Sequence, residues 1–218
     1  MPVNSLQALD IVSLVLRRAN ESGQPIPNFV VLVGGTALSA HAVRDQSEDV
    51  DFYTPESMDD AAVEVENELR LTYGSTFKID VTVGENLWGD ILLRDIDKSP
   101  ELTSLNIGST IISIKLLPLT DLFLLKLAAD REKDRSDLLL MSSRVLPDDV
   151  IARFNQLIKW HGNRNAIMGF ADSFVITLHN LYNLSKKEII AKLEAPAYIK
   201  VNLTASYCDD ETGHDYPG

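Results

Sequence analysis

The chain has 218 residues, of which 45% are hydrophobic and 24% are charged, and its formal net charge is −12. This composition is typical of a globular protein that can bury a core without disulfides or a structural metal. The acidic balance argues against non-specific binding along a nucleic-acid backbone, because such binding needs a basic stripe. We expect a cytoplasmic protein with no membrane association, since the first residues lack signal-peptide features and no apolar run is long enough to span a membrane.

The first part of the chain predicts helices that alternate with strands. Apolar residues recur at helical spacing over residues 4–21, and a loop rich in glycine and proline follows. The segment FVVLVGG then predicts a buried strand, and TALSAHAVRD predicts a helix. Next, EDVDFYT predicts a short strand, and the amphipathic residues 55–74 predict a helix with Ser57 as its N-cap and Gly74 as its end.

Further strands are predicted before Pro118. The segment TFKIDVTVG alternates between an apolar and a polar face, and WGDILLRDI and TIISIKLL are two more candidate strands. After Pro118 the pattern becomes helical to about Leu193. Within this part, SKKEIIAKL opens with a capping box formed by Ser185 and Glu188.

We therefore predict an α+β fold, in which a mixed β-sheet with flanking helices is followed by a mostly helical C-terminal region. The sheet and its helices would occupy residues 1–118, and the helical region residues 119–195. Residues 196–218 are predicted to form an acidic, mobile tail, because the final segment CDDETGHDYPG has acids and no base.

Two aspartates stand one residue apart in the predicted strand EDVDFYT. Asp49 and Asp51 point to the same face of a strand, whereas Val50 and Phe52 point to the core. Two like charges this close raise each other's pKa unless a cation lies between them. A hard divalent cation such as Mg²⁺ or Mn²⁺ would relieve the repulsion. The alternative is an edge strand with a solvated acidic face.

A third acid, Asp80, interrupts the polar face of the predicted strand TFKIDVTVG. A two-metal site needs a bridging carboxylate and further acids around it, so Asp80 on a neighbouring strand would complete such a site with Asp49 and Asp51. The alternative is that Asp80 belongs to the exposed face of its strand.

The glycine pair Gly34 and Gly35 lies where the predicted strand meets the predicted helix. Glycine permits close backbone approach, and the start of a helix presents N–H groups that suit a phosphate. Thr36 adds a hydroxyl at the same turn. A tight turn without a ligand is the alternative, and neither the dinucleotide-binding nor the P-loop pattern is present.

A later helical stretch, LTDLFLLKLAADREKDRSDLLLM, combines acids and bases at helical spacing. Its charged residues include Lys126, Asp130, Arg131, Lys133, Asp134, Arg135 and Asp137. A solvated, salt-bridged face is one interpretation. Lys126, however, stands among apolar neighbours, where its ammonium would snorkel or reach a buried anion such as a triphosphate.

Taken in order, VGGTAL, SEDVDFY, KIDVTV and DLFLLKLAADREKDRSDLLLM resemble the motifs of minimal nucleotidyltransferases of the DNA polymerase beta superfamily. The branch they resemble in particular contains the toxin of the AbiE abortive-infection system. The resemblance covers about residues 28–142 and implies a nucleotidyltransferase-like sheet. It also implies metal-dependent transfer of NMP from an NTP to an RNA, such as a tRNA, or to a protein acceptor. A toxin role with a cognate antitoxin is a further expectation, and a non-catalytic nucleotide- or partner-binding protein is the alternative.

The resemblance also implies roles for the acids and the glycine motif. Asp49 and Asp51 would hold the metal that binds the nucleotide phosphates. Asp80 would help to hold a second metal and would activate the acceptor hydroxyl. The β- and γ-phosphates would be gripped by Gly34, Gly35 and Thr36.

The same resemblance implies roles for residues of the charged helical stretch. Lys126 would neutralise charge on the triphosphate, and Asp134 or Asp137 would position Lys126 or the acceptor. The remaining predicted phosphate contacts are Arg44, Ser47 and Arg131.

Overall fold

The computed structural model of the protein describes residues 1–82, 93–160 and 164–208. The chain divides into two compact units, Met1–Leu122 and Phe123–Gly218. Among the described helices, none is both long and apolar enough to cross a membrane.

The first unit is built on a mixed sheet. Its described elements are α1 (Ser5–Glu21), β1 (Phe29–Leu32), α2 (Gly34–Ala40), β2 (Val50–Tyr53), α3 (Asp59–Tyr73), β3 (Ile79–Thr82), a 3₁₀ helix (Leu93–Lys98), β4 (Glu101–Ile107) and β5 (Thr110–Leu116). The strand order is β3-β2-β1-β5-β4. Strand β1 runs antiparallel to β2 and parallel to β5, β2 is parallel to β3, and β4 is antiparallel to β5. The predicted α+β class is confirmed.

Helix α1 shows how local sequence signals and packing agree in this unit. It begins after Asn4, whose side chain forms a capping box with Gln7. Most of its apolar face from Ala8 onward is buried, whereas Leu6 is exposed. Arg18 near its end bonds to Glu64 and Glu68 of α3 at 2.9 and 2.8 Å. These surface ion pairs contribute little energy each, so apolar burial holds α1 against α3.

Two predicted helix starts are wrong. Helix α2 begins at Gly34, so the glycines form its first turn instead of ending the strand. Helix α3 begins at Asp59 with Met58 in the N-cap position, and the Ser57 hydroxyl donates to the Asp59 carboxylate at 2.9 Å instead of capping the helix. The predicted end at Gly74 is confirmed; its positive φ of 107° suits glycine.

The segment WGDILLRDI was predicted as a strand. Residues 88–92 lie outside the described part of the chain, and the rest of the segment enters the 3₁₀ helix Leu93–Lys98, so the strand prediction is wrong there. Within this helix Asp95 and Lys98 pair at 2.8 Å, and their separation of three residues fits one helical turn.

Strand β5 confirms the prediction for TIISIKLL, but β4 was not predicted. The two strands form a hairpin in which Ile107 pairs with Thr110. Gly108 in the turn has φ 58°, a conformation that favours glycine, and it marks the hairpin.

The second unit is helical. Its described helices are α4 (Leu119–Ala129, which begins in the first unit), α5 (Glu132–Ser142), α6 (Pro147–Trp160), α7 (Arg164–Tyr182), α8 (Lys186–Lys192) and α9 (Ala197–Cys208). Phe154 of α6 stacks on Phe174 of α7, with 4.1 Å between ring centroids. The predicted capping box of Ser185 and Glu188 is confirmed at the start of α8.

The predicted mobile tail is wrong over residues 197–208, because these form α9. Ile199 and Leu203 are buried, and the Tyr207 hydroxyl donates to Asp172 of α7 at 2.6 Å. The acids that suggested a tail come later, and residues 209–218 lie outside the described part of the chain.

Candidate functional site

Two of the three predicted acids are neighbours in the sheet. Asp51 of β2 is the register partner of Asp80 of β3, and the two strands are parallel. Adjacent strands lie about 4.8 Å apart, and paired residues point to the same face. Asp49 precedes β2 by one residue, and Val50 and Phe52 are fully buried, as predicted. Asp51 is half-buried and Asp80 is exposed.

The Asp51 carboxylate sits against the start of α2. Its Oδ2 accepts the N–H of Gly35 at 2.8 Å and the N–H of Thr36 at 3.4 Å. The Thr36 hydroxyl accepts the Asp51 N–H at 2.8 Å and donates to the Asp49 carbonyl at 3.3 Å. The glycine motif and the paired aspartates, separate in the sequence, are thus one hydrogen-bonded unit.

Gly34 is required by this arrangement. Its φ is 52°, and a Cβ atom there would lie 2.6 Å from Asp51 Oδ2. A larger residue would therefore be strained in its backbone and would also push the carboxylate away from the start of α2. The close approach predicted for glycine is present, but the group that approaches is the protein's own Asp51.

Arg44 and Ser47 lie against Gly35. A Cβ atom at Gly35 would lie 1.8 Å from Arg44 Nη2 and 2.4 Å from Ser47 Oγ, and Arg44 Nη2 donates to Ser47 Oγ at 3.1 Å. Ser47 is buried and exchanges backbone hydrogen bonds with Val3. Of the predicted phosphate contacts, Gly35, Arg44 and Ser47 are thus gathered at one turn, whereas Lys126 and Arg131 belong to the second unit. A phosphate would reach the N–H groups of Gly35 and Thr36 only if Asp51 released them.

The electrostatics of Asp51 favour a cation. Burial raises its pKa; the hydrogen bond from Gly35 opposes this, while the charges of Asp80 and Asp49 raise the pKa further. Within the described residues, no group of three or more His, Cys, Asp or Glu is arranged to hold a metal ion. A divalent cation at Asp51 and Asp80 would therefore need additional oxygen ligands, such as water or nucleotide phosphates, as Mg²⁺ commonly uses.

A second predicted cluster lies in the second unit. Lys126 Nζ of α4 lies 2.7 Å from Asp134 Oδ1 and 2.7 Å from Asp137 Oδ2 of α5. All three side chains are buried. Arg131 Nε also contacts Asp134, at 2.7 Å. Lys126 thus pairs with two buried carboxylates of the protein itself, and its contact with a triphosphate stays a prediction. The solvated-face interpretation holds for Asp130 and Arg135, which are exposed.

This cluster is balanced in charge. Burial alone would raise the pKa of Asp134, but hydrogen bonds from Arg131 and Lys126 outweigh it and hold the pKa below its ordinary value. Asp130, between the two helices, has a positive φ of 46°, which reverses the chain and brings α5 back to Lys126. Aspartate tolerates this conformation better than most residues.

A cavity of about 440 Å³ in the second unit was not predicted. One wall carries Lys126, Arg131, Asp134 and Arg135, and the other carries residues of α7, including Ser173, Ile176, Thr177 and Asn180. The signal in the sequence was a polar stripe within an otherwise apolar helix, since residues 173, 177 and 180 have helical spacing.

Comparison with protein-family models, with curated proteins and with solved structures found no match. The predicted residues fall into two groups by unit. The first unit holds Gly34, Gly35, Thr36, Arg44, Ser47, Asp49, Asp51 and Asp80, and the second holds Lys126, Arg131, Asp134 and Asp137. A single site built from both groups stays a prediction.

The raised pKa of Asp51 predicts that Asp51→Asn stabilises the metal-free protein at pH 8. A raised folded-state pKa means that ionisation costs stability as the pH rises through that value, and asparagine removes the cost. We expect the midpoint of thermal unfolding to rise by a few degrees at pH 8, with a smaller difference near pH 4. Scanning calorimetry in EDTA measures the unfolding midpoints of the two proteins at both pH values. Glu48→Gln, at an exposed neighbouring position, is the control, and a lower midpoint for Asp51→Asn would refute the expectation.

The buried Lys126 cluster predicts a large loss of stability on Lys126→Met. The substitution leaves two buried carboxylates without their shared cation, which costs about 3–5 kcal/mol in the free energy of unfolding. Urea unfolding followed by circular dichroism measures the loss. Lys133→Met, at an exposed position of the same segment, should change it by less than about 0.5 kcal/mol. Equal effects of the two substitutions would contradict the structural role of Lys126.

Proposed function

We propose that the protein is a metal-dependent nucleotidyltransferase that transfers NMP from an NTP to an RNA or protein acceptor in the cytoplasm. The observation that carries the proposal is the pairing of Asp51 and Asp80 on adjacent parallel strands, directly beside the glycine turn. The order of elements also supports it, because a strand, a glycine turn, a helix and two acid-bearing strands follow one another as the resemblance implies.

The residues present fit a divalent cation. Asp51 is held where burial and two neighbouring acids disfavour its ionised form, so a cation at this position would gain binding energy from relieving that repulsion. Asp51 and Asp80 would hold the cation, with Asp49 beside them. When bound, Mg²⁺ or Mn²⁺ would supply positive charge that stabilises the negative charge developing on the transferred group.

The chain's own groups supply the proton acceptor. Asp80 is the exposed member of the pair, so an acceptor hydroxyl can approach it. In the proposed step, the acceptor oxygen bonds to the α-phosphorus as its proton passes to the Asp80 carboxylate. The bond between the α-phosphorus and the oxygen bridging to the β-phosphorus breaks, and pyrophosphate leaves. Positioning and electrostatics, and no covalent enzyme intermediate, account for the rate.

A second candidate function is nucleotide binding or partner binding without turnover. Two observations favour it: no preformed three-ligand metal group exists within the described residues, and the N–H groups of Gly35 and Thr36 are engaged by Asp51. While Asp51 keeps these N–H groups, the turn cannot grip the β- and γ-phosphates, so a nucleotide or partner bound elsewhere on the protein would not be turned over.

The central test is incubation with each α-³²P-labelled NTP, Mg²⁺ or Mn²⁺, total RNA and total protein. We expect label to enter one macromolecular fraction and to fall about 100-fold or more in Asp51→Asn, because the substitution removes a charge that holds the metal. Glu48→Gln should label normally. Undiminished labelling by Asp51→Asn would refute the proposed mechanism. Tight NTP binding without a labelled product would favour the second candidate function.

The toxin role is a separate part of the proposal, supported by the AbiE-like order of motifs. Induced expression should arrest growth of the native host, and co-expression of a neighbouring antitoxin gene should relieve the arrest. Asp51→Asn should grow normally, because arrest depends on transfer. Normal growth of the native host while it expresses the active chain would refute the toxin role. It would leave the proposal of transferase activity unaffected.

A further inference from the structure

The Thr36 side chain is fully enclosed, although it belongs to the turn where phosphate contacts are predicted. The exposed fraction of this residue is 0%, and the neighbouring Gly35 is also buried. A buried hydroxyl needs hydrogen-bond partners within the protein, because an unsatisfied polar group in the interior costs free energy. The partners of Thr36 therefore indicate what its hydroxyl does.

Both partners of the hydroxyl are backbone groups of the segment that carries the paired aspartates. Thr36 Oγ1 accepts the N–H of Asp51 at 2.8 Å and donates to the carbonyl of Asp49 at 3.3 Å. A hydroxyl has one proton to donate, and here that proton is directed at the Asp49 carbonyl. A phosphate oxygen only accepts hydrogen bonds, so it would have to displace that carbonyl in order to bond to Thr36.

The reason for these bonds lies in the way β1 ends. Val33 follows β1 and donates its N–H to the Asp51 carbonyl at 3.2 Å. In a continuing antiparallel pair, the Asp51 N–H would donate back to the Val33 carbonyl. That carbonyl instead accepts the N–H of Ala37 at 2.9 Å, because α2 has begun. The Thr36 hydroxyl thus takes the place of the strand partner that Asp51 would otherwise have.

The same turn therefore holds both the backbone and the side chain of Asp51. The Thr36 hydroxyl fixes the Asp51 N–H, while Asp51 Oδ2 accepts the N–H groups of Gly35 and Thr36 at 2.8 and 3.4 Å. On its other side, Asp51 is the register partner of Asp80. Without the hydroxyl, the Asp51 N–H and the Asp49 carbonyl would lose the partner that they share. The carboxylates of both residues would then be held less precisely relative to Asp80.

We propose that Thr36 is a positioning residue for the metal-binding acids, whose hydroxyl fixes the backbone of Asp49 and Asp51 and does not contact phosphate. The inference rests on the proposed function, since it takes Asp51 and Asp80 as the residues that hold the divalent cation. Removal of a group that orients metal ligands typically lowers metal affinity by about 10- to 100-fold. The effect of Thr36 is therefore measurable with the metal alone, before any nucleotide is added.

The test is titration of the full chain with Mn²⁺ in the absence of nucleotide, with the free ion measured by electron paramagnetic resonance. Asp51→Asn identifies the part of the binding that belongs to this site. Thr36→Val keeps the shape of the side chain but removes the hydroxyl, so we expect Mn²⁺ affinity to fall about tenfold or more. Thr36→Ser keeps the hydroxyl and should retain most of the affinity.

Thr54→Val is the matched control. Thr54 directly follows β2 and is also fully buried, and its hydroxyl accepts the N–H of Glu56 at 3.4 Å. The substitution therefore removes a buried hydroxyl of the same unit that does not belong to the proposed site. Thr54→Val should bind Mn²⁺ as the unaltered chain does, even if it unfolds at a lower temperature.

The outcomes separate this inference from the transferase proposal. Unchanged Mn²⁺ affinity in Thr36→Val overturns the inference and leaves the metal site standing. Equal losses in Thr36→Val and Thr54→Val also overturn it, because a general loss of stability would explain both. A loss in Thr36→Val that is absent in Thr36→Ser and Thr54→Val supports the inference, even if no NTP label is transferred. If no Mn²⁺ binding depends on Asp51, both the inference and the metal-dependent mechanism are refuted.

A second variant and a second measurement keep the test decisive if Thr36→Val does not fold. Thr36→Ala removes the same hydroxyl and leaves only a small cavity, and Thr54→Ala is its control. Amide hydrogen exchange then reports on the bond itself, without any metal. The Asp51 N–H should exchange faster in Thr36→Ala than in the unaltered chain or in Thr54→Ala, and equal rates would overturn the inference.

Discussion

The contact between the Asp51 carboxylate and the start of α2 organises the first unit. Strand β2 lies between β1 and β3, so one residue of β2 can influence both neighbours. On one side, Asp51 receives the N–H groups of the turn that follows β1. On the other, it stands beside Asp80 of β3. The absence of a side chain at Gly34 makes the contact possible, and Arg44 and Ser47 pack where a side chain at Gly35 would otherwise be.

The two clusters of charge in this protein differ in their balance. In the second unit, Asp134 and Asp137 meet Lys126 and Arg131 at 2.7 Å, and burial of the acids is offset by ion pairing and hydrogen bonding. Around Asp51, the charges of Asp80 and Asp49 add to the cost of burial in raising its pKa, and the N–H groups of Gly35 and Thr36 offset this only in part. A balanced cluster holds helices together, whereas an unbalanced one is the usual setting of a site that acts on a ligand.

The direction of side chains along a strand could be predicted from the alternation of polar and apolar residues in the sequence. The alternation placed Asp51 and Asp80 on one face correctly, because side-chain direction in a strand depends only on local geometry, whereas Asp49 lies just before β2 and its shared face with Asp51 stays a prediction. The bond from Gly35 to Asp51 was not predictable, since it depends on the antiparallel pairing of β1 with β2. The α7 wall of the cavity was missed for a similar reason: a polar stripe has meaning only once the opposing helices are known. The tail prediction failed because composition at the very end of the chain outweighed Ile199 and Leu203, which are buried in α9.

Asp80 occupies a position with a further consequence. Strand β3 is at one end of the strand order of the described sheet. A terminal strand offers unpaired backbone groups to other molecules, although the Ile79 N–H of β3 already donates to Glu66 Oε2 at 2.8 Å. An exposed charge on such a strand discourages two copies from joining. The acid that we propose as proton acceptor would therefore also oppose self-association through this strand. Replacing Asp80 by a neutral residue would therefore affect both the proposed proton transfer and the tendency to aggregate. Activity lost through aggregation could then be mistaken for activity lost through the missing proton acceptor.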